Sequence, residues 1–97
     1  MYVGACLVQI EIPGAESLKD KRAVLQSAMT RVRNQFHVSI AEVESQDRWT
    51  TGALGIAVVS NDAVHARAVL DRAVRFLERA RLDASIGEVE FEIVDVF

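Results

Sequence analysis

The chain has 97 residues, 51% of them hydrophobic and 26% charged, and a formal net charge of −3. That apolar content excludes a disordered or low-complexity chain, while one Cys, one Pro and five Gly exclude a disulfide framework and a collagen-like repeat. A chain of this length predicts one domain, residues 1–97, with a core of modest size.

Along Tyr2–Ile12, Cys6, Val8, Ile10 and Ile12 alternate with Gln9 and Glu11, which predicts a first strand stopped by Pro13-Gly14. Ser17 is the expected N-cap of a helix, with Asp20 three residues on as a short capping box. Leu18, Leu25, Met29, Val32 and Phe36, widened by Val24 and Ala28, then form one helical stripe ending near Asn34-Gln35-Phe36. Val38–Glu44 predicts a second strand, with Val38 and Ile40 on one side and Ala41 and Val43 on the other. Polar Ser45–Thr51 suits a hairpin loop, and apolar Ala53–Ser60 suits a central strand buried on both faces. Ser60-Asn61-Asp62 offers N-caps for a second helix whose stripe is Ala66, Val69, Leu70, Ala73, Leu77 and Ala80. Arg72, Arg75 and Arg79 lie opposite that stripe. Ile86–Val96 closes the chain as a strand with Val89, Phe91 and Ile93 inward and Glu88, Glu90 and Glu92 outward.

The order βαββαβ with right-handed crossovers predicts an α+β, ferredoxin-like sandwich: a four-stranded antiparallel sheet with both helices on one face. The second and fourth strands are then edges. The face away from the helices carries Val3, Ala5 and Leu7 and is too apolar for a solvated surface, which predicts a homodimer or higher oligomer using that face or the edge strands.

The charge is unevenly spread. Lys19, Lys21, Arg22, Arg31 and Arg33 stand against Asp20 in the first helical segment. Arg67, Arg72, Arg75, Arg79 and Arg81 stand against Asp71 and Glu78 in the second. The rest of the chain is acidic but for Arg48, so the molecule is expected to be electrically two-sided.

Pro13-Gly14-Ala15-Glu16-Ser17-Leu18-Lys19-Asp20-Lys21-Arg22 resembles the P-G-x-x-S-L-K-D-K-R stretch of the YlxP-like proteins, a bacterial family of unknown function. Val38–Val43, Gln46-Asp47-Arg48-Trp49 and Ala57–Asp62 resemble that family's later segments in the same order. Ser45 departs from the pattern, which has a His before Gln-Asp. The resemblance implies a ferredoxin-like fold, a bacterial cytoplasmic origin and a gene often near translation and ribosome-maturation genes, with no established catalytic residues.

Lys19, Lys21 and Arg22 occupy the opening turns of a helix, where the macrodipole disfavours cations. With Arg33 they are candidates for binding an anion, either phosphate, RNA backbone or acidic side chains; a solvated or self-paired face is the alternative. Gln46, Asp47, Arg48 and Trp49 form a candidate recognition or interface loop. Its indole either stacks on a base or ligand or, as loop tryptophans more often do, packs, folding back onto the sheet or plugging a dimer interface. Asp47 and Arg48 are expected to hold the loop by a local pair.

Catalysis has little support. Cys6 suits a small apolar strand residue, and His37 and His65 have no nucleophile at a recognised spacing. No cofactor or metal is expected, and no enzyme activity, because Cys-x-x-Cys and Gly-rich phosphate loops are missing from the sequence. No apolar run approaches the roughly 18–20 residues of a membrane span, so a cytoplasmic protein without membrane contact is expected. Three functions fit: an accessory protein binding RNA or a ribosomal component through its basic helical face, a dimeric module for a protein or small ligand, or a purely structural dimer whose charges only maintain solubility.

Overall fold

A computed structural model describes residues 1–44 and 47–97. The strands are β1 (Tyr2–Glu11), β2 (Ser39–Glu44), β3 (Thr51–Ser60) and β4 (Ser85–Asp95), and the helices are α1 (Leu18–Gln35) and α2 (Ala63–Arg79). They form one antiparallel sheet in the order β2-β3-β1-β4, so β2 and β4 are the edges and the βαββαβ ferredoxin-like sandwich is realised.

Alternation along β1 places Cys6, Val8, Ile10 and Ile12 under the helices, all nearly inaccessible. In the register, Cys6 stands between Ile56 of β3 and Phe91 of β4, and Val8 between Leu54 and Val89. Onto this floor α1 lays Leu25, Ala28, Met29 and Val32, and α2 lays Ala66, Leu70, Ala73, Val74 and Leu77. Where the helices meet, the rings of Phe36 and Phe76 pack edge to face with centroids 5.7 Å apart. At Gly4 the sheet leaves α2 no room for a side chain. A Cβ there would lie 3.0 Å from Ile93 Cδ1, 3.1 Å from Leu70 Cδ1 and 3.3 Å from Ala66 Cβ.

Both helices begin on the caps expected of them. Ser17 Oγ accepts from Asp20 N at 3.1 Å, while Asp20 Oδ2 accepts in return from Glu16 N at 3.0 Å. At the start of α2, Asp62 Oδ1 accepts from Val64 N at 2.9 Å, and Ser60 Oγ accepts from Asp62 N at 3.1 Å.

Two irregularities re-aim side chains. Between the pairs Val8–Val89 and Ile10–Ile86 the β4 strand holds one extra residue, so Ile86 and Val89 both face the helices. Between Glu42–Leu54 and Glu44–Ala53 the register of β2 also shifts, while Glu42, two residues from Ile40, stays under α1. No helix among the described residues is long and apolar enough to cross a membrane.

Candidate functional site

The opening turns of α1 hold Lys19, Lys21 and Arg22, and successive helical residues point about 100° apart. Lys19 and Arg22 are exposed, with Asp20 beside the helix's positive end. Lys21 goes the other way. It is only 1% exposed and is the sole buried charged residue among those described. Its Nζ lies 3.1 Å from Glu42 Oε2, a charge contact in which that oxygen has no hydrogen-bond alignment. The same Nζ donates to the Arg48 carbonyl at 2.7 Å. Beneath its stem lies Gly52, where a Cβ would stand 3.3 Å from Lys21 Cε and 3.3 Å from Leu25 Cδ1. Lys21 is therefore not part of a basic surface, contrary to the sequence expectation. It sits four residues before Leu25, on the stripe that helical periodicity turns inward, and its anion is internal.

Arg33 extends from the end of α1 to the sheet, where Nη2 donates to the Ile40 carbonyl at 2.8 Å. That bond identifies the flank of α1 overlooking β2. Arg22 precedes Arg33 by about three turns on the same flank. With Phe36, His37, Ser39 and Val59, Arg33 also lines an open cleft of about 540 Å³ where β3 runs on past the end of β2. On the opposite flank, Arg31 Nη1 donates to the Arg81 carbonyl at 3.1 Å.

On α2, Arg67 is committed within the domain: its Nε is 3.2 Å from Asp71 Oδ1 and its guanidinium lies 3.7 Å from the centre of the Phe91 ring. Arg72, Arg75 and Arg79 are exposed, and no described group pairs with their side chains. The helical layer thus presents Lys19, Arg22, Arg72, Arg75, Arg79 and Arg81 to solvent. Acids Glu90 and Glu92 lie on the other side of the sheet, opposite Leu7 and Ala5 in the register.

Among the described residues the loop between β2 and β3 is fastened at Arg48 by Lys21 and at Thr50, whose carbonyl accepts from Ile12 N at 2.8 Å. Between the two lies Trp49, 51% exposed, half covered by the domain and half in solvent. No ion pair joins Asp47 to Arg48; the anchor of Arg48 is its backbone carbonyl. Gln46 and Ser45 lie outside the described residues. Glu42 went unnoticed in the sequence, although a signal was present: it shares strand parity with buried Ile40.

Cys6 is a buried strand residue whose thiol is pushed up to about 11, first by burial, then by the Asp71 carboxylate, with Arg67 opposing. It is a protonated thiol near neutrality, and thiolate is the nucleophilic form. The sheet's open face carries Val43, Val59 and Val94, each 45% exposed or more. Near its middle is a shallow hollow of about 350 Å³ lined chiefly by Ala5, Ala41, Val43, Gly55 and Ala57.

Residues 3–91 match the family model described as "Protein of unknown function (DUF503)". The chain is 42% identical over 76 residues to the uncharacterized protein YlxP of Bacillus subtilis (strain 168), covering 78% of this chain and 83% of that one. Among solved structures it is similar to a de novo designed protein with ferredoxin fold, LFR1 1, at TM-score 0.57 and 17% identity, over 99% of this chain and 88% of the other. It is also similar to the de novo designed protein Foldit4, at TM-score 0.52 and 12% identity, over the whole of both chains. These two likenesses bear on the fold alone.

Proposed function

The chain belongs to the DUF503 family of unknown function, and from that premise we propose that it is a non-enzymatic accessory protein that binds RNA or an RNA-bearing ribosomal component through its helical layer. The observation supporting this is the set of exposed cations on the two helices, Lys19, Arg22, Arg72, Arg75 and Arg79, with Arg81 just past the end of α2, in a chain whose formal net charge is −3. Exposed Asp20 and Glu78 offset only part of that charge, and a surface that served solubility alone gains nothing from such an excess of one sign on one layer, whereas a phosphate backbone is attracted by it. Lys21 and Arg67 take no part, because Glu42, Asp71 and Phe91 already engage them.

Gel retardation of a structured RNA across a salt series tests the reading. Affinity is expected to fall steeply with salt, and Arg72→Ala/Arg75→Ala/Arg79→Ala to reduce the slope of log affinity against log salt by about 3, one per lost phosphate contact. No retardation at low salt, even at high protein concentration, removes the proposal.

A second reading, a homodimeric module for a protein or small ligand, is favoured by the open face, where Val43, Val59 and Val94 stay exposed around a floor of small residues. Light scattering at micromolar concentration is expected to give the mass of two chains, with Val59→Asp returning it to one. A single-chain mass for the unaltered protein counts against a dimer through this face.

A further inference from the structure

The sole buried charge among the described residues lies directly beneath the loop that carries the single tryptophan of the chain. A buried ammonium is a poor choice for stability alone, since a well-packed apolar side chain does as well or better. What the ammonium does that a leucine cannot is hold a backbone carbonyl. Lys21 Nζ holds that of Arg48 at 2.7 Å, and the Ile12 N–H holds that of Thr50 at 2.8 Å. The two bonds straddle residue 49, so its main chain is fastened on both sides while half of its side chain stays in solvent.

An aromatic side chain carried on an anchored main chain costs less to order when a flat partner covers it. Its surroundings specify that partner further. Arg48 is its neighbour in the chain, and the loop hangs from the start of α1, where Lys19 and Arg22 are exposed. Arg22 also shares with Arg33 the flank of the helix overlooking β2, the strand that leads into this loop. Cations beside an exposed indole are the arrangement that tracks a phosphate backbone while a base stacks. A regular A-form duplex keeps its base faces inside the stack and offers none to an indole.

We propose that Trp49 is a base-stacking platform positioned by Lys21, and that the RNA taken by this protein therefore has unpaired bases. This rests on the reading of the helical layer as an RNA-binding surface. Lys21 acts through the loop and is a positioning residue; Trp49 makes the contact.

Because Trp49 is the only tryptophan, intrinsic fluorescence of the full chain reports on it alone. The probes are a single-stranded RNA oligonucleotide and the same strand annealed to its complement. Quenching by the single strand and not by the duplex is expected. Trp49→Ala is expected to weaken single-strand binding by roughly tenfold with the salt slope unchanged, and Trp49→Phe to restore most of it. Circular dichroism on both variants confirms the fold. Equal binding of both RNAs with no change in fluorescence overturns the stacking platform and leaves the helical-layer reading standing; binding of neither RNA overturns that reading and this inference with it. A fluorescence change on simple dilution of the protein, without RNA, places the indole between subunits and also overturns the proposal.

Discussion

Lys21→Ala is expected to lower the thermal midpoint by about 15 °C or more, corresponding to a loss of about 3 kcal/mol. The substitution deletes the ammonium that stands 3.1 Å from Glu42 Oε2 and leaves that carboxylate under α1 without its counter-charge. It also removes the donor to the Arg48 carbonyl, so a backbone acceptor is stranded and the loop loses a fastening. The figure is taken at the low end for a broken buried pair because the Glu42 side chain is 19% exposed and water reaches part of it. Two controls separate this from a general intolerance of change at the site. Lys21→Met/Glu42→Leu removes both charges and is expected to regain the part of the loss that comes from the uncompensated carboxylate, the Arg48 carbonyl still lacking its donor. Salt should change the deficit little, since a pair this buried is poorly screened. A Lys21→Ala midpoint within two or three degrees of the unaltered protein, roughly half a kcal/mol, would show that the pair contributes nothing to holding the loop.

The second large effect is at the contact between α2 and β1. Leu70 is fully buried, and its Cδ1 lies 3.1 Å from where a side chain on Gly4 would begin. Leu70→Ala is expected to cost about 3 kcal/mol, from lost apolar burial plus the cavity left behind. Gly4→Val is expected to cost about 2 kcal/mol for the opposite reason, because its methyls meet Ile93, Leu70 and Ala66 at once. The informative outcome is their combination. In Gly4→Val/Leu70→Ala the valine enters space the leucine has left, so the loss should fall short of the sum of the two by about 1 kcal/mol or more. Urea unfolding with an unchanged slope measures all three variants. Strict additivity would mean that the two positions do not share the space assigned to them.

Periodicity carries most of this architecture. The stripes of α1 and α2, the caps at Ser17 and Asp62, and the alternation of β1 are local properties, and all are realised. Local rules fall short where they meet a tertiary partner. Ile86 and Val89 are three apart, so strict alternation sets them on opposite faces; the extra residue in β4 returns both to the core. Lys21 reads as a surface base because lysine is almost never fully buried unless paired, and its partner Glu42 belongs to a strand far along the chain. Arg67 has Asp71 one turn on in its own helix, but the Phe91 ring that also engages it comes from a distant strand.

The order of elements, their inward faces and the crowding of cations onto two helices follow from neighbours within a turn or a strand, because burial patterns repeat with the local geometry of the backbone. Which of those cations remain available, and how far Trp49 stands in solvent, depend on groups distant in the chain. Only folding sets Glu42 against Lys21 and the carbonyl of Arg48 against its ammonium. The side chains that face outward, unlike the stripe that faces in, are therefore sorted into committed and available ones by contacts that no periodicity encodes.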